Sequence, residues 1–392
     1  MASHLALVGC CCCFFLVATA IALNINDYGA IPDGITDSTQ ALQKAWAEAC
    51  AAESNAAVVV PAGQYVIGPV MFKGPCKSPV AIQLDGTLLA HPDLRLYRPN
   101  WIEFQYIDGL VLSGAGKVDG RGSAAWGSNK CRQNHISNCR TFPMNMVFSF
   151  VNDATISGIS SIDSKYFHVL VFGSQNVTFD SVTVAAPGDS PNTDGIHVAV
   201  SQNVAITNSV IGTGDDCISI GDHTVNLTVS GIACGPGHGI SVGSLGRNPG
   251  EQDVVGLAVR NCTFNGTMNG VRIKTWQNGP KDLAVRDLVF EDLTMNAVEN
   301  PIVIDQKYCP SGTCPETLKP SRVRISNVTF HNIKGTSETM TAINLVCSQT
   351  FPCEAVQLSD IDLKYAGSDA NATCINVKAT VAGDVNPAAF CR

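Results

Sequence analysis

The feature that most constrains the fold is a short apolar strand pattern that returns at a fixed interval. The runs Gly195-Ile-His-Val198, Cys217-Ile-Ser-Ile220 and Gly239-Ile-Ser-Val242 follow one another every 22 residues. Similar alternating runs begin at Val271 and Ile302, each 31 residues after the previous one. Short alternating strands at a fixed period, separated by Gly, Asn and Asp, predict a solenoid of stacked coils of parallel strands.

The same period places ionisable residues together. Asp194, Asp216 and His238 each lie two residues before the apolar strand of their unit. Parallel strands are about 4.8 Å apart, so equal positions in successive coils become neighbours. We therefore expect these three residues to form a ladder along the solenoid, with Asp215 beside it.

Two cations follow on a later strand. Arg272 and Lys274 share one face of that strand because strand side chains alternate. We expect them one or two coils away, beside the carboxylates. Clustered carboxylates cannot all ionise cheaply, so one pKa is pushed up and the others stay low. This separates an acid from a base within one cluster.

Composition favours one repetitive β domain. The 392 residues include 35 glycines, and only 15% are charged. A solenoid grows by adding coils, so its length does not imply several domains. We predict an all-β fold, a right-handed parallel β-helix over residues 23–392. The helical pattern Gln40–Cys50, with Ser38 or Thr39 as N-cap, is predicted to cover the open end, because an uncovered coil exposes strand edges.

Residues 1–22 form a predicted secretory signal peptide. An apolar run extends from Leu5 to Ala22 and ends in small residues. It has no Lys or Arg before it, so a membrane anchor is the competing interpretation, although the run is short for a span. Six Asn-X-Ser/Thr sequons fit a secreted protein, although an asparagine stacked in a turn explains several of them equally well. They start at Asn176, Asn226, Asn261, Asn265, Asn327 and Asn371.

Cysteine usage also indicates an oxidising compartment. The sequence has 17 cysteines, four of them inside the predicted signal. Close pairs predict local disulfides, and an odd number in the remaining chain leaves one thiol over, for which Cys262 is the candidate. The predicted pairs are Cys309/Cys314, Cys347/Cys353, Cys131/Cys139 and Cys217/Cys234. The spacings match no zinc cluster.

Several classes of function are disfavoured. The glycines at 235–239 do not stand between a strand and a helix, as a phosphate loop would require. The net charge is −8, and no basic run is present. We therefore expect no nucleic-acid partner.

The sequence resembles the polygalacturonases of glycoside hydrolase family 28, most closely the plant pollen-type exopolygalacturonases. Four motifs occur in the order of that family: Asn192-Thr-Asp194, Gly214-Asp-Asp216, Gly237-His-Gly239 and Arg272-Ile-Lys274. The similarity also covers residues 27–30 and 114–122, so it extends over nearly the whole chain after the signal. The four motifs together are far more specific than any one alone.

The resemblance implies a secreted enzyme that hydrolyses α-1,4 linkages in polygalacturonate with inversion, without metal or cofactor. It implies that Asp215 is the general acid and that Asp194 and Asp216 hold and activate the water. His238 would tune the protonation of the acid, and Arg272 and Lys274 would pair with the substrate carboxylate. Tyr308 and Asn192 would contact the substrate. We expect a monomer with no membrane association after signal cleavage.

Three alternatives remain open on the sequence alone. The chain could attack internal linkages, or be a pectate-lyase-like β-helix, since aspartates also ligate Ca²⁺. A lyase would give an unsaturated, ultraviolet-absorbing product and stop in chelator. A silent wall-binding protein is the third, and the complete set of charged residues argues against it.

Overall fold

The computed structural model describes residues 21–127, 142–315 and 317–388, which form a right-handed parallel β-helix. Strands of each coil pair in parallel with strands of the coils on either side. The predicted all-β solenoid is confirmed. Two short α-helices, α1 (Thr39–Ala51) and α2 (Ser123–Trp126), and two 3₁₀ turns (Ile25–Tyr28 and Leu94–Leu96) complete it.

The first sixteen strands precede the predicted site. They are β1 Ile21–Asn24, β2 Asp33–Asp37, β3 Ala56–Val60, β4 Gln64–Ile67, β5 Val70–Lys73, β6 Val80–Leu84, β7 Thr87–Ala90, β8 Ile102–Gln105, β9 Leu110–Ser113, β10 Lys117–Asp119, β11 Met146–Ser149, β12 Asn152–Ser157, β13 Ser160–Ile162, β14 Val169–Phe172, β15 Gln175–Asp180 and β16 Thr183–Ala185.

The remaining strands carry the site and the closing coils. They are β17 Ile196–Ala199, β18 Gln202–Thr207, β19 Val210–Gly212, β20 Ile218–Ile220, β21 Val225–Ser230, β22 Ala233–Cys234, β23 Ile240–Leu245, β24 Val254–Asn265, β25 Asn269–Trp276, β26 Leu283–Val298, β27 Asn300–Tyr308, β28 Val323–Ser337, β29 Thr341–Val346, β30 Cys353–Tyr365, β31 Ser368–Asp369, β32 Asn371–Ile375 and β33 Val377–Asn386.

One eleven-stranded sheet, here called the cleft sheet, carries the repeated pattern found in the sequence. Its strands lie in the order β5, β8, β11, β14, β17, β20, β23, β25, β27, β29, β32. Ile196, Ile218, Ile240, Val271 and Ile302 are direct neighbours across five successive strands. The intervals of 22 and 31 residues therefore predicted the register correctly.

The interior of the solenoid is a continuous stack of apolar side chains. On the cleft sheet Phe72, Phe104 and Phe148 lie above one another, with ring centroids 5.0 and 4.8 Å apart. Each is almost fully buried. Burying one such side chain stabilises the fold by roughly 1.5–3 kcal/mol, so inward residues at alternate positions hold successive coils together.

Helix α1 covers the first coil, as predicted. The Trp46 ring lies 4.9 Å from the Phe72 ring at the head of the internal stack. Ser38 occupies the N-cap position, but its side chain makes no capping hydrogen bond. The Asp37 carboxylate accepts from the Thr39 N–H at 2.8 Å instead, and Ser38 remains the N-cap residue, as predicted.

The first twenty residues of the predicted signal lie outside the described residues. Ile21 and Ala22, which were assigned to its end, begin β1 and pair with Ala56 and Ala57 of β3. Among the described residues, no helix has the length and apolar character needed to cross a membrane.

Disulfides connect loops and neighbouring coils. The predicted pairs Cys217–Cys234, Cys309–Cys314 and Cys347–Cys353 are present. Cys50–Cys76, which joins the end of α1 to the second coil, was not predicted. Cys262 is free and buried, as expected. Cys131 and Cys139 lie outside the described residues.

A row of asparagines runs along one edge of the solenoid. Asn176, Asn203 and Asn226 all have positive φ near 55°, a conformation that asparagine tolerates better than most residues. The Asn203 side-chain amide donates to Asn176 Oδ1 at 3.1 Å, and Asn203 Oδ1 accepts from Asn226 Nδ2 at 3.3 Å. Two of the six sequons therefore begin at asparagines of this row, and their glycosylation stays a prediction.

We expect Asn203→Ala to lower the free energy of unfolding by about 1–3 kcal/mol, because it strains the left-handed backbone and removes two side-chain hydrogen bonds. Asn203→Gly should cost less, since glycine keeps the backbone conformation. Urea denaturation followed by circular dichroism measures both, with exposed Gln202→Ala as the matched control. Equal stability of the alanine variant and wild type would contradict this role.

Candidate active site

The predicted site residues gather in a cleft of about 400 Å³ on the outer face of the cleft sheet. Six of the eight line it: Asn192, Asp194, Asp215, Asp216, Lys274 and Tyr308. His238 lies behind Asp215, and Arg272 lies beside Tyr308. A separate cleft of about 550 Å³, bordered by Cys309 and Cys347, contains none of the eight.

Two glycines permit the close approach of the turns that carry the carboxylates. A Cβ on Gly214 would lie 2.0 Å from the Ser190 carbonyl oxygen, and one on Gly237 would lie 2.6 Å from that of Asp215. Gly237 also has φ +142°. Larger residues would push these turns apart, which explains glycine next to Asp215 and next to His238 in the sequence.

His238 is paired with Asp215. Its Nδ1 lies 3.0 Å from Asp215 Oδ1, and its backbone N–H donates to the Asp215 carbonyl at 2.8 Å. Asp215 Oδ1 also accepts from the Asp216 N–H at 2.9 Å. The sequence predicted a ladder of Asp194, Asp216 and His238. In the structure the His238 imidazole contacts Asp215 instead. Among the described residues, no group donates to Asp215 Oδ2.

Asp216 and Lys274 form a buried ion pair. The Lys274 ammonium donates to Asp216 Oδ2 at 2.8 Å, and the Ser241 hydroxyl donates to Oδ1 at 2.7 Å. The side chains are only 3% and 11% exposed. Although burial opposes it, the charge of Asp216 gives a net rise in the pKa of Lys274. Lys274 therefore stays charged, and it holds a carboxylate of the protein itself.

Asp194 is the carboxyl that ionises least readily. Burial, followed by the charges of Asp215 and Asp216, raises its pKa well above the ordinary range. Ser219 and Lys274 act in the opposite direction with smaller effect. A proton is therefore favoured on Asp194 over Asp215.

The pKa of Asp215 shifts the other way. Burial alone would raise it, but the hydrogen bond and charge of His238, with the charge of Lys274, outweigh burial and lower it. The environments thus separate two neighbouring carboxyls, as expected. The sequence interpretation made Asp215 the acid, whereas the pKa shifts in the structure favour the proton on Asp194. The shifts depend on side-chain contacts between coils, which the sequence does not show.

Arg272 is held by a residue that sequence reasoning missed. Its guanidinium lies 3.2 Å from Asp305 Oδ2 and 5.1 Å from the centre of the Tyr308 ring. The Lys274 ammonium is 5.8 Å from the same ring. The predicted cations and Tyr308 therefore come together. The sequence could have identified Asp305, because the repeat pairs it with Lys274 on the neighbouring strand.

Other supporting contacts also escaped the sequence analysis. The Ser219 hydroxyl and His197 Nδ1 share a hydrogen bond of 2.7 Å under the carboxylates. Both occupy outward positions that the alternation of β17 and β20 identifies. Burial lowers the pKa of His197 to about 4, so this ring is neutral and adds no charge to the cluster.

The donor set can be examined for a cation. The ligand atoms of Asp215, Asp216 and His238 all lie within 4.8 Å of one another. The Lys274 ammonium already neutralises Asp216 at 2.8 Å, and a second cation there would be repelled. The arrangement suits proton transfer between carboxyls better than a metal centre.

Asp194→Asn should stabilise the protein at neutral pH. Below about pH 3.9 an aspartate is protonated in both states, but above it the unfolded carboxyl ionises while the buried one resists, so the folded state is penalised increasingly as pH rises. We expect a higher melting temperature than wild type at pH 7 and a gap that closes as pH falls. Exposed Asp384→Asn is the control. A variant less stable than wild type at pH 7 would contradict the assignment.

Comparisons with known proteins agree with this geometry. Residues 50–383 match the sequence profile of glycosyl hydrolases family 28. An exopolygalacturonase of Platanus acerifolia is 48% identical over 372 residues, covering 94% of this chain and 97% of that protein. An exopolygalacturonase of Zea mays is 44% identical over 366 residues, covering 92% and 88%.

Solved structures show the same fold. An endo-xylogalacturonan hydrolase from Aspergillus tubingensis superposes with a TM-score of 0.79 at 23% identity, covering 93% of this chain and all of that one. A polygalacturonase from Erwinia carotovora gives a TM-score of 0.72 at 22% identity, covering 92% and 97%. The sequence profile and relatives, together with the clustered carboxylates, show that this chain belongs to glycosyl hydrolase family 28.

Proposed function

We propose that the protein hydrolyses α-1,4-galacturonosyl linkages of polygalacturonate from the chain end, with inversion. The observation that carries the proposal is the set of three carboxyls in unlike environments beside two cations. Its relatives named exopolygalacturonases support action at the end of the chain. The disulfides and the predicted signal support secretion to the cell wall, where such a polymer is found.

Asp215 is the proposed general acid. One of its oxygens is fixed by His238 and the Asp216 N–H, which leaves Oδ2 available to the leaving oxygen of the substrate. The partners of Asp215 in the protein lower its pKa. Substrate binding brings negative carboxylates and excludes water, and both effects raise the pKa of a carboxyl. Occupation of the cleft thus moves Asp215 toward its protonated, acidic form.

Asp194 and Asp216 are proposed to hold the attacking water. Asp216 is held in place by Lys274, which donates to Oδ2, and by Ser241, which donates to Oδ1, so its position suits it to orient the water. Asp194 lies on the neighbouring coil, where the Gly195 N–H donates to the Asp216 carbonyl at 2.9 Å. Transfer of the Asp194 proton to Asp215, which then holds it as the general acid, would leave Asp194 ionised and able to act with Asp216 on the attacking water.

Arg272, Lys274 and Tyr308 are proposed to bind a substrate carboxylate. The Arg272 side chain keeps 19% of its surface exposed beside the Tyr308 ring. A charge-assisted bond from guanidinium to carboxylate is stronger than a neutral one, and the aromatic ring orders the cation before substrate arrives.

Asp215→Asn should lower kcat by at least about 10²-fold on oligogalacturonate while binding is retained, the scale of losing a general acid. A galacturonide whose leaving group needs no proton should recover much of that loss, whereas Asp194→Asn should stay slow on both substrates. Released reducing ends measure the rate, and the absence of ultraviolet-absorbing unsaturated product tests hydrolysis against elimination. Wild-type turnover in folded Asp215→Asn would remove it from this role.

Arg272→Ala should raise KM for unesterified oligogalacturonate by about 10-fold or more, the equivalent of losing one charged hydrogen bond of about 1.5–3 kcal/mol. The KM for fully methyl-esterified oligomers should change little. Arg260→Ala is the matched control, because Arg260 also pairs with a carboxylate, Glu291, at 2.9 Å on another face of the solenoid. Equal losses on both substrates would show that Arg272 has only a structural role.

A further inference from the structure

The catalytic cleft is asymmetric about its carboxylates. Toward the C-terminal coils it continues from β20 past β23 and β25 to Tyr308 at the end of β27. Toward the N-terminal coils it reaches only one coil beyond Asp194, to Tyr166 and Phe167. At about 4.8 Å per coil, the two arms are about 14 Å and about 5 Å long.

The short arm ends at three rings in contact, two of them stacked. The Phe167 ring lies 5.3 Å from His197 on the outer face of the cleft sheet, and the Tyr166 ring is parallel to Phe167 at 4.4 Å. The stack therefore rises from the floor of the cleft. Burial, followed by the charges of Asp194 and Asp215, raises the pKa of Tyr166 to about 12, so the phenol stays neutral next to the reacting groups.

No other described residue of the coil that carries Tyr166 and Phe167 lines the cleft. Strand β14 lies directly beside β17, and Phe172 is the register neighbour of the cleft-lining residue Ala199. Phe172 is nevertheless outside the cleft and 37% exposed, and its ring centroid lies 5.9 Å from that of Phe150. The cleft thus stops between these coils, and the turn before β14 forms its end.

Charge is distributed with the same asymmetry. Arg272 and Lys274 lie on the long arm. Among the described residues that line the short arm there is no Lys or Arg, and Lys165, next to Tyr166 in the chain, is buried and donates to the Gly120 carbonyl, with its ammonium 5.0 Å from the Tyr97 ring. A second uronate residue on that side would place its carboxylate against aromatic rings, with no cationic partner among these lining residues, which is costly.

We propose that Tyr166, supported by Phe167, is a specificity-determining residue that closes the short arm after one sugar residue. The pyranose next to the scissile bond fits between the carboxylates and the ring, and the next one in the chain would collide with it. Hydrolysis then removes one sugar at a time from the chain end. This inference rests on the proposed function, since it explains the size of its product.

The test compares products of hexagalacturonate and polygalacturonate early in the reaction. Wild type should release the monomer alone. Tyr166→Ala should raise the ratio of dimer and trimer to monomer at least about tenfold, equivalent to about 1.4 kcal/mol, and should lower the viscosity more per bond cleaved. Tyr166→Phe keeps the ring and should retain monomer release. Tyr106→Ala, which removes an exposed ring stacked on Phe150 outside the cleft, should leave the products unchanged.

If Tyr166→Ala does not fold, Phe167→Leu gives the same test, because it keeps an apolar contact with His197 but removes the partner of Tyr166. Folded, active variants that still release only monomer would overturn the inference and leave the proposed function standing. Wild type that releases dimer or trimer from the start would also overturn the inference. Wild type that releases no reducing ends would overturn the proposed function, and this inference with it.

Discussion

The main-chain hydrogen bonds between successive coils determine where every functional group lies. The Cys217 N–H donates to the Gly239 carbonyl at 2.8 Å, and the His238 N–H donates to the Asp215 carbonyl at the same distance. Parallel pairing fixes one coil against the next at a single register, because a slip of one residue would turn the inward isoleucines outward. Residues 22 positions apart in the chain therefore become neighbours in the cleft.

The cleft concentrates charge where the rest of the solenoid avoids it. Most inward positions are apolar, whereas the outward positions of Asp194 and Asp216 are buried although they carry carboxyl groups. Burying ionised groups costs free energy unless they are paired. The ion pair with Lys274 offsets this cost for Asp216, and Asp194 avoids it by retaining its proton. The apolar stack beneath provides the stability that such a site requires.

The two ends of the cleft differ in their chemistry as well as their length. Cations and a tyrosine lie at one end, and stacked aromatic rings lie at the other. A uniform repeating scaffold thus presents a directional surface, because the turns and loops vary from coil to coil while the strands repeat. In this fold the strands set the spacing of the groups, and the turns set their identity.

The sequence by itself determined the solenoid, the register from Ile196 to Ile302 and the gathering of the three aspartates with His238, Arg272 and Lys274. Periodicity encodes these because parallel stacking converts sequence interval into distance. Only the tertiary structure decided that His238 contacts Asp215, that Lys274 holds Asp216 and that Asp305 holds Arg272. Those choices, and the opposite pKa shifts of Asp194 and Asp215, depend on side-chain direction and burial between coils, which no interval in the sequence records.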